Sequence, residues 1–252
     1  MGRNNNIVIE ALETRRHLDA VIASGTLFVT GTFNADAIGV YVIGDRVDVW
    51  INGATTSFNI NSFSAVDLSS RMGSDYVEID VDLNKPSTIR GGLGDDTLLG
   101  GAGADYILGG QGRDSIRGGD GNDLIVGKAG DDTIVGENGD DQVFGQGGFD
   151  DLFGGVGNDT VYGGIGDDSI RGGDGNDDLY GEDGDDTILG DDGEDLIFGN
   201  NDDDTLDSVD SNSDTVFGDA GDDTLYVDRF DDEYEGGSGR DSIFDALDLP
   251  IL

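Results

Sequence analysis

The chain has 252 residues and carries 55 acidic side chains against 13 basic ones, a formal net charge of −42. Of the acids, 47 are Asp and 8 are Glu; 45 residues are Gly, one is His and none is Cys. This balance excludes disulfide frameworks, thiolate zinc sites, Fe–S clusters and His-pair metalloprotease sites, and a chain this negative is repelled by nucleic acid and by anionic membrane surfaces. No apolar run approaches the roughly 18 residues of a spanning helix, so membrane insertion is not expected. Asp beside Gly, rather than Glu, is the chemistry of tight turns and of sites for hard cations.

Taken in chain order, residues 1–25 are expected to be a flexible N-terminal segment, and MGRNNN lacks the apolar core of a cleavable signal peptide. Residues 26–90 form a β-rich N-terminal region. Strands are predicted over Leu27–Thr30, Val40–Ile43, Val47–Ile51 and Ser57–Ile60, with Gly44-Asp45 and Asn52-Gly53 as turn pairs. Trp50, Tyr41 and Phe58 read as core or cross-strand residues rather than a ligand site. Two stretches, GTFNADAIG at 31–39 and SRMGSDYVE at 70–78, look like decayed copies of the pattern that follows, with Asp36 and Asp75 in sixth place. Val77, Ile79 and Val81 predict a strand leading onward, and this region is expected to cap or initiate the part beyond it.

Composition breaks near residue 90. The first 90 residues have a net charge of −4 and the remainder −38, and 38 of the 45 Gly lie in the remainder. From Gly91 the chain reads GGLGDDTLL, GGAGADYIL, GGQGRDSIR, GGDGNDLIV, and seventeen such nonapeptides fill residues 91–244, with one extra residue, Ser208, after the thirteenth. The sixth position is Asp in all of them: Asp96, Asp105, Asp114, Asp123, Asp132, Asp141, Asp150, Asp159, Asp168, Asp177, Asp186, Asp195, Asp204, Asp214, Asp223, Asp232 and Asp241. The eighth position is aliphatic in sixteen units, Tyr234 being the exception. Residues 245–252 form a C-terminal tail.

Gly at positions one and four allows positive φ, which predicts a tight loop over the first six residues and a short strand over the last three, with the middle side chain inward. Two units then make an 18-residue coil, and coils stack at the parallel-strand spacing of about 4.8 Å. Two buried aliphatics per coil cannot by themselves offset the entropy of ordering it. Calcium is the natural additional bond. Stacking brings Asp96 near Asp114 and Asp105 near Asp123, and carboxylates with loop carbonyls make an all-oxygen site suited to Ca²⁺, whereas Mg²⁺ demands a small octahedron and keeps its waters. Nine odd and eight even loops allow at most about 15 inter-loop ions, whose charge would cancel most of the −42. Binding of this kind is coupled to folding.

The motif GGxGxDxUx, with U apolar, resembles the RTX, or haemolysin-type, calcium-binding repeat over residues 91–244. The resemblance implies an all-β fold, a right-handed parallel β-roll with 18 residues per coil, secretion from a bacterium and folding where calcium is millimolar. It also implies that the sixth-position Asp residues and loop carbonyls are the ligands. The pattern departs where Asp202, Asn212 and Phe230 replace the fourth Gly and Val209 and Val227 the first, which puts sites near 199–217 and 227–235 in question, and Ser208 is expected to bulge the stack.

Alternate units fall on opposite sheets. The ninth positions of the even units give an outward apolar ribbon, Leu108, Val126, Phe144, Tyr162, Tyr180, Phe198 and Phe217; the odd units give a hydroxyl column at position seven, from Thr97 and Ser115 to Ser242, interrupted by Asp151. The ribbon reads either as a stacking ladder common to solenoids or as a contact surface for the N-terminal region or another copy. No HExxH, GxSxG or nucleotide motif stands apart from the repeat, so no enzyme is expected. The reading is a secreted, extracellular or cell-surface calcium-binding structural protein that self-assembles into a filament or layer. The alternative is a non-catalytic RTX module of a larger secreted enzyme, toxin or adhesin. The tail Asp248–Leu252 resembles the acidic-then-apolar end of type I secretion signals.

Overall fold

The computed structural model describes residues 19–228 and 233–245. An antiparallel hairpin opens it: β1 (Asp19–Ala23) and β2 (Thr26–Thr30), turned at Ser24-Gly25 with both residues at positive φ. Residues 19–23, at the end of the segment expected to be flexible, are thus paired. β3 (Ala37–Ile43), β4 (Arg46–Ile51) and β5 (Ala54–Asn59) form an antiparallel meander on the two turn pairs read from the sequence. Val47 and Val49 alternate inward while Asp48 and Trp50 remain partly exposed, the period-two pattern of a sheet with one buried face. β6 (Ala65–Met72), β7 (Tyr76–Ile79) and β8 (Ser87–Leu93) then pair in parallel.

From Thr97 a six-residue strand begins every nine residues, as in Thr97–Ala102, Tyr106–Gln111 and Ser115–Asp120, through to Leu196–Asn201. The rhythm shortens to Thr205–Asp207, resumes at Thr215–Ala220, and ends on Glu233–Glu235 and Ser242–Asp245. Successive strands alternate between two sheets. A 12-stranded sheet takes β1, β2, β6, β8 and the even units; a 13-stranded sheet starts at β5, passes through β4, β3 and β7, and continues with the odd units. All repeat strands are parallel and in register, Ile107 beside Ile125 and Ile116 beside Ile134, so one coil is 18 residues. The architecture is an all-β parallel solenoid.

The strands are longer than expected, running from position seven through position three of the next unit, which leaves only positions four to six as the loop. The cause lies in the glycines. Positive φ occurs at positions two and four, for example +118° at both Gly92 and Gly94, and not at position one. Seven non-Gly residues share the position-two conformation, among them Lys128, Glu137 and Asp191. The backbone therefore stays extended through position one and turns later.

Between the sheets, the eighth-position side chains from Leu98 to Leu225 have no solvent exposure. The N-terminal region continues the same core through Leu27, Val29, Val66, Leu68, Ile89 and their neighbours. On the outside of the 12-stranded sheet the ribbon Leu108 to Phe217 stands in register and mostly half-buried. Its rings from Phe144 to Phe217 stack at centroid distances of 4.7–5.3 Å with planes within 17°. The position-seven hydroxyls line up on the other sheet, Thr97 beside Ser115 and Ser169 beside Thr187. Among the described residues no helix is long and apolar enough to cross a membrane.

Candidate metal centre

The sixth-position Asp ends each loop where the chain turns into the next strand, and its side chain points into the stack rather than to solvent. From Asp96 to Asp223 these residues are 1–4 % exposed. Each backbone N–H donates to Oδ1 of the Asp one coil further on: Asp96 to Asp114 at 2.9 Å, Asp114 to Asp132 at 2.8 Å, and, in the second column, Asp105 to Asp123 at 2.8 Å and Asp159 to Asp177 at 2.7 Å. The result is two continuous ladders, one along each row of loops. They cross the irregular units intact. Asp195 reaches Asp214 at 2.8 Å and Asp204 reaches Asp223 at 3.0 Å, each over 19 residues instead of 18, because Ser208 is absorbed outside the loops after the shortened strand. Asp241 is partly exposed and accepts from Asp223 at 3.2 Å. Asp232 lies outside the described residues, as do Phe230 and the tail beyond residue 245.

One oxygen of each carboxylate is thus used. The other, Oδ2, is buried with no hydrogen-bond partner in thirteen of the repeat residues, Asp96, Asp123, Asp150, Asp177 and Asp204 among them. Asp105 differs, its Oδ2 accepting from Gly101 N–H at 3.1 Å. A buried anionic oxygen without a donor is costly. The surroundings show what it faces. A methyl placed on Gly154 would stand 2.6 Å from Asp159 Oδ2 and 2.7 Å from the Gly172 carbonyl of the next coil. In the same unit the Gly155 and Gly157 carbonyls point up the stack at Gly173 and Gly175. Position one is therefore Gly because a side chain would fill the gap where carboxylate and carbonyl oxygens converge.

The electrostatics agree. Burial, which strips water from the ionised form, is the largest influence and pushes Asp96, Asp123, Asp132, Asp168, Asp177 and Asp186 up to about 7. It pushes Asp141, Asp195 and Asp204 up to about 8, with like-charged neighbours in the ladder adding to the rise. The donated N–H opposes it in every case. A cation in the gap would reverse this, holding the carboxylates ionised. Among the described residues no three carboxylate or imidazole groups gather into a metal cluster. The gaps lie between stacked Asp residues, each bounded by an Asp Oδ2, and main-chain carbonyls must complete any coordination shell. An all-oxygen, mixed carboxylate and carbonyl set of this kind suits Ca²⁺.

The model of the RTX calcium-binding nonapeptide repeat matches residues 87–116, 117–152, 144–179, 153–188, 180–208 and 209–243, together more than half of the chain. The chain belongs to the RTX family. No curated protein matches it. The RTX repeat is a structural calcium-binding unit and not a catalytic one, and proteins that carry it are typically secreted.

One feature beyond the Asp register was not read from the sequence, and a second was read only as two decayed units. Position five builds a second, solvent-facing ladder, in which Asp167 accepts from Asp185 N–H at 3.1 Å and Asn158 from Asn176 N–H at 2.9 Å. The recurrence of Asp and Asn before the sixth-position Asp is the signal that marks it. The inner ladder also extends beyond the RTX match. Asp36 N–H donates to Asp75 Oδ1 at 2.6 Å and Asp75 N–H to Asp96 Oδ1 at 2.8 Å, placing both degenerate units in the odd column.

Proposed function

We propose that this chain is a secreted calcium-binding structural protein whose β-roll folds when calcium fills the gaps between stacked loops, with the sixth-position Asp residues from Asp96 to Asp241 as ligands. The observation that supports this most directly is the row of buried Oδ2 atoms without donors, most of them sharing their gap with a carbonyl of the next coil, as Asp159 does with Gly172 and Asp177 with Gly190. Stacking these anions without cations sets like charges along two columns, so the metal-free repeats favour the solvated, unfolded chain. Up to about 15 ions fit this geometry, one per inter-loop gap. Extracellular calcium, far above the cytosolic level, suits a protein that needs so many ions.

Self-assembly into an extracellular filament or layer is the second part of the proposal. The last strand, Ser242–Asp245, is an edge of its sheet, and Ile243, the final residue of the inward column, is 45 % exposed with Phe244 at 44 %. Among the described residues no further strand pairs with it, and an apolar sheet edge of this kind invites another copy. One experiment tests both parts: a calcium titration followed by circular dichroism and by light scattering. β-structure and particle size should rise together from a chelated, largely unfolded chain. A far-ultraviolet spectrum indifferent to calcium would refute the first part, and a compact monomer at saturating calcium the second.

A further inference from the structure

The two ladders run into the N-terminal region, but the groups around them change character there. In the odd column the unit at 70–78 has Ser70 at position one, where the repeats have Gly. Register places it beside Gly91, since Arg71 pairs with Gly92. Its side chain fills the gap above Asp75, the hydroxyl donating to the Gly91 carbonyl at 2.9 Å and to that of Arg90 at 3.2 Å, while Asp75 Oδ2 is buried without a hydrogen-bond partner as in the repeats. One coil earlier, position one is Gly31, yet the Asp36 carboxylate is already satisfied. Thr32 N–H, the Thr32 hydroxyl and the Asn52 amide all donate to it.

The even column ends differently. Ser87 takes the sixth position, so the gap below Asp105 has one carboxylate only, and Gly101 N–H satisfies that one. In the same unit Lys85 supplies a fixed positive charge at position four, its Nζ donating to the Phe63 carbonyl at 3.0 Å and standing 5.2 Å over the Phe63 ring. Leu83 at position two is fully buried.

We infer that residues 26–90 fold without calcium, with protein groups standing where the repeats leave room for the ion, and that this preformed cap templates the calcium-driven roll. The inference rests on the reading that calcium fills the gaps between repeats. Apolar burial supports it. Of the 30 side chains in the core cluster, 14 lie between Leu27 and Ile89, more than twice the density found beyond residue 90. The pairings β1–β2 and β3–β4–β5 are local hairpins, which close without long-range ordering. Once formed, the cap holds out two placed donors, Asp75 N–H toward Asp96 Oδ1 and Ser87 N–H toward Asp105 Oδ1 at 2.7 Å. The first repeat of each column docks on these, and growth proceeds toward the C-terminus.

Hydrogen–deuterium exchange on the full chain, in chelator and then in millimolar calcium, tests this. In chelator the amides of β2 to β8 should be protected while those beyond residue 97 exchange at unfolded rates; calcium should protect both. Uniform rapid exchange in chelator that calcium reverses would overturn the calcium-free cap while leaving calcium-coupled folding intact. Protection throughout in chelator would refute calcium-coupled folding and this inference with it. A second measurement reads the plug itself. Ser70→Gly should bind one more calcium per chain than the parent by calorimetric titration, while Ser70→Ala, which keeps a methyl in the gap, should not. No gain in Ser70→Gly would overturn the role given to Ser70.

Discussion

At the residue scale, the chemistry reduces to what each carboxylate oxygen of one Asp does. Oδ1 takes a backbone N–H from the coil before, and Oδ2 is left facing a carbonyl without a donor, as at Asp159. Burial raises these carboxyls from their ordinary value of 3.8, to about 7 at Asp96 and about 8 at Asp141. The sign of the consequence follows. A group whose folded value lies above its unfolded one favours the fold fully below the unfolded value, and that contribution is lost as pH rises through the folded value. The metal-free roll should therefore be most stable near pH 4 and lose that stability between about pH 4 and 8. Calcium acts in the opposite sense, since its ligands must be ionised. Circular dichroism in chelator should show more β-structure at mildly acidic pH than at pH 8, and the calcium midpoint should rise as the pH falls. A midpoint independent of pH would contradict the protonation of these carboxyls.

At the scale of elements, the strands were legible as a rhythm but not in their length. The nine-residue period and the inward Leu, Ile and Val at position eight placed every repeat strand in the right order and on the right sheet. Their extension through positions one to three was missed because Gly was read as a source of positive φ. At Gly91 or Gly154 it is needed instead for the close approach of oxygens from the next coil, which only the stacked structure displays. The outer ribbon is similar. Its rings present their faces to one another, so Phe144 to Phe217 form a rib along the stack with edges outward. Removing one ring from the middle breaks two stacked pairs, at 4.7 Å and 5.3 Å for Tyr180. Tyr180→Ala should cost about 1–3 kcal/mol at about 0.5–1.5 kcal/mol per pair. Denaturant unfolding in saturating calcium reads this, and an unchanged midpoint would deny the rib any structural role.

For the whole molecule, the two ends are unlike. The N-terminal end of the 13-stranded sheet finishes on β5, a mostly exposed antiparallel strand carrying Thr55, Thr56 and Ser57, whereas among the described residues the other side ends on Ser242–Asp245 with Ile243 exposed. If assembly proceeds through that apolar end, Ile243→Asp should keep particles small in calcium while leaving the calcium-induced β-signal unchanged; sizing chromatography that still shows large particles would refute this route. The sequence by itself determined the parallel solenoid, its 18-residue coil, the two inward Asp columns and the hard-cation chemistry, because each is a strictly local pattern copied seventeen times. It also located Asp36 and Asp75 in sixth places, though not what surrounds them. Only the tertiary structure decided which oxygen of each Asp is spent, that both ladders survive the Ser208 insertion, and that Thr32 and Asn52 donate to the Asp36 carboxylate and Ser70 to the Gly91 carbonyl. These depend on contacts between residues as few as 4 and as many as 39 apart, in coils of unequal length. Spacing along the chain does not specify such contacts. They are settled by the register in which one coil seats on the next.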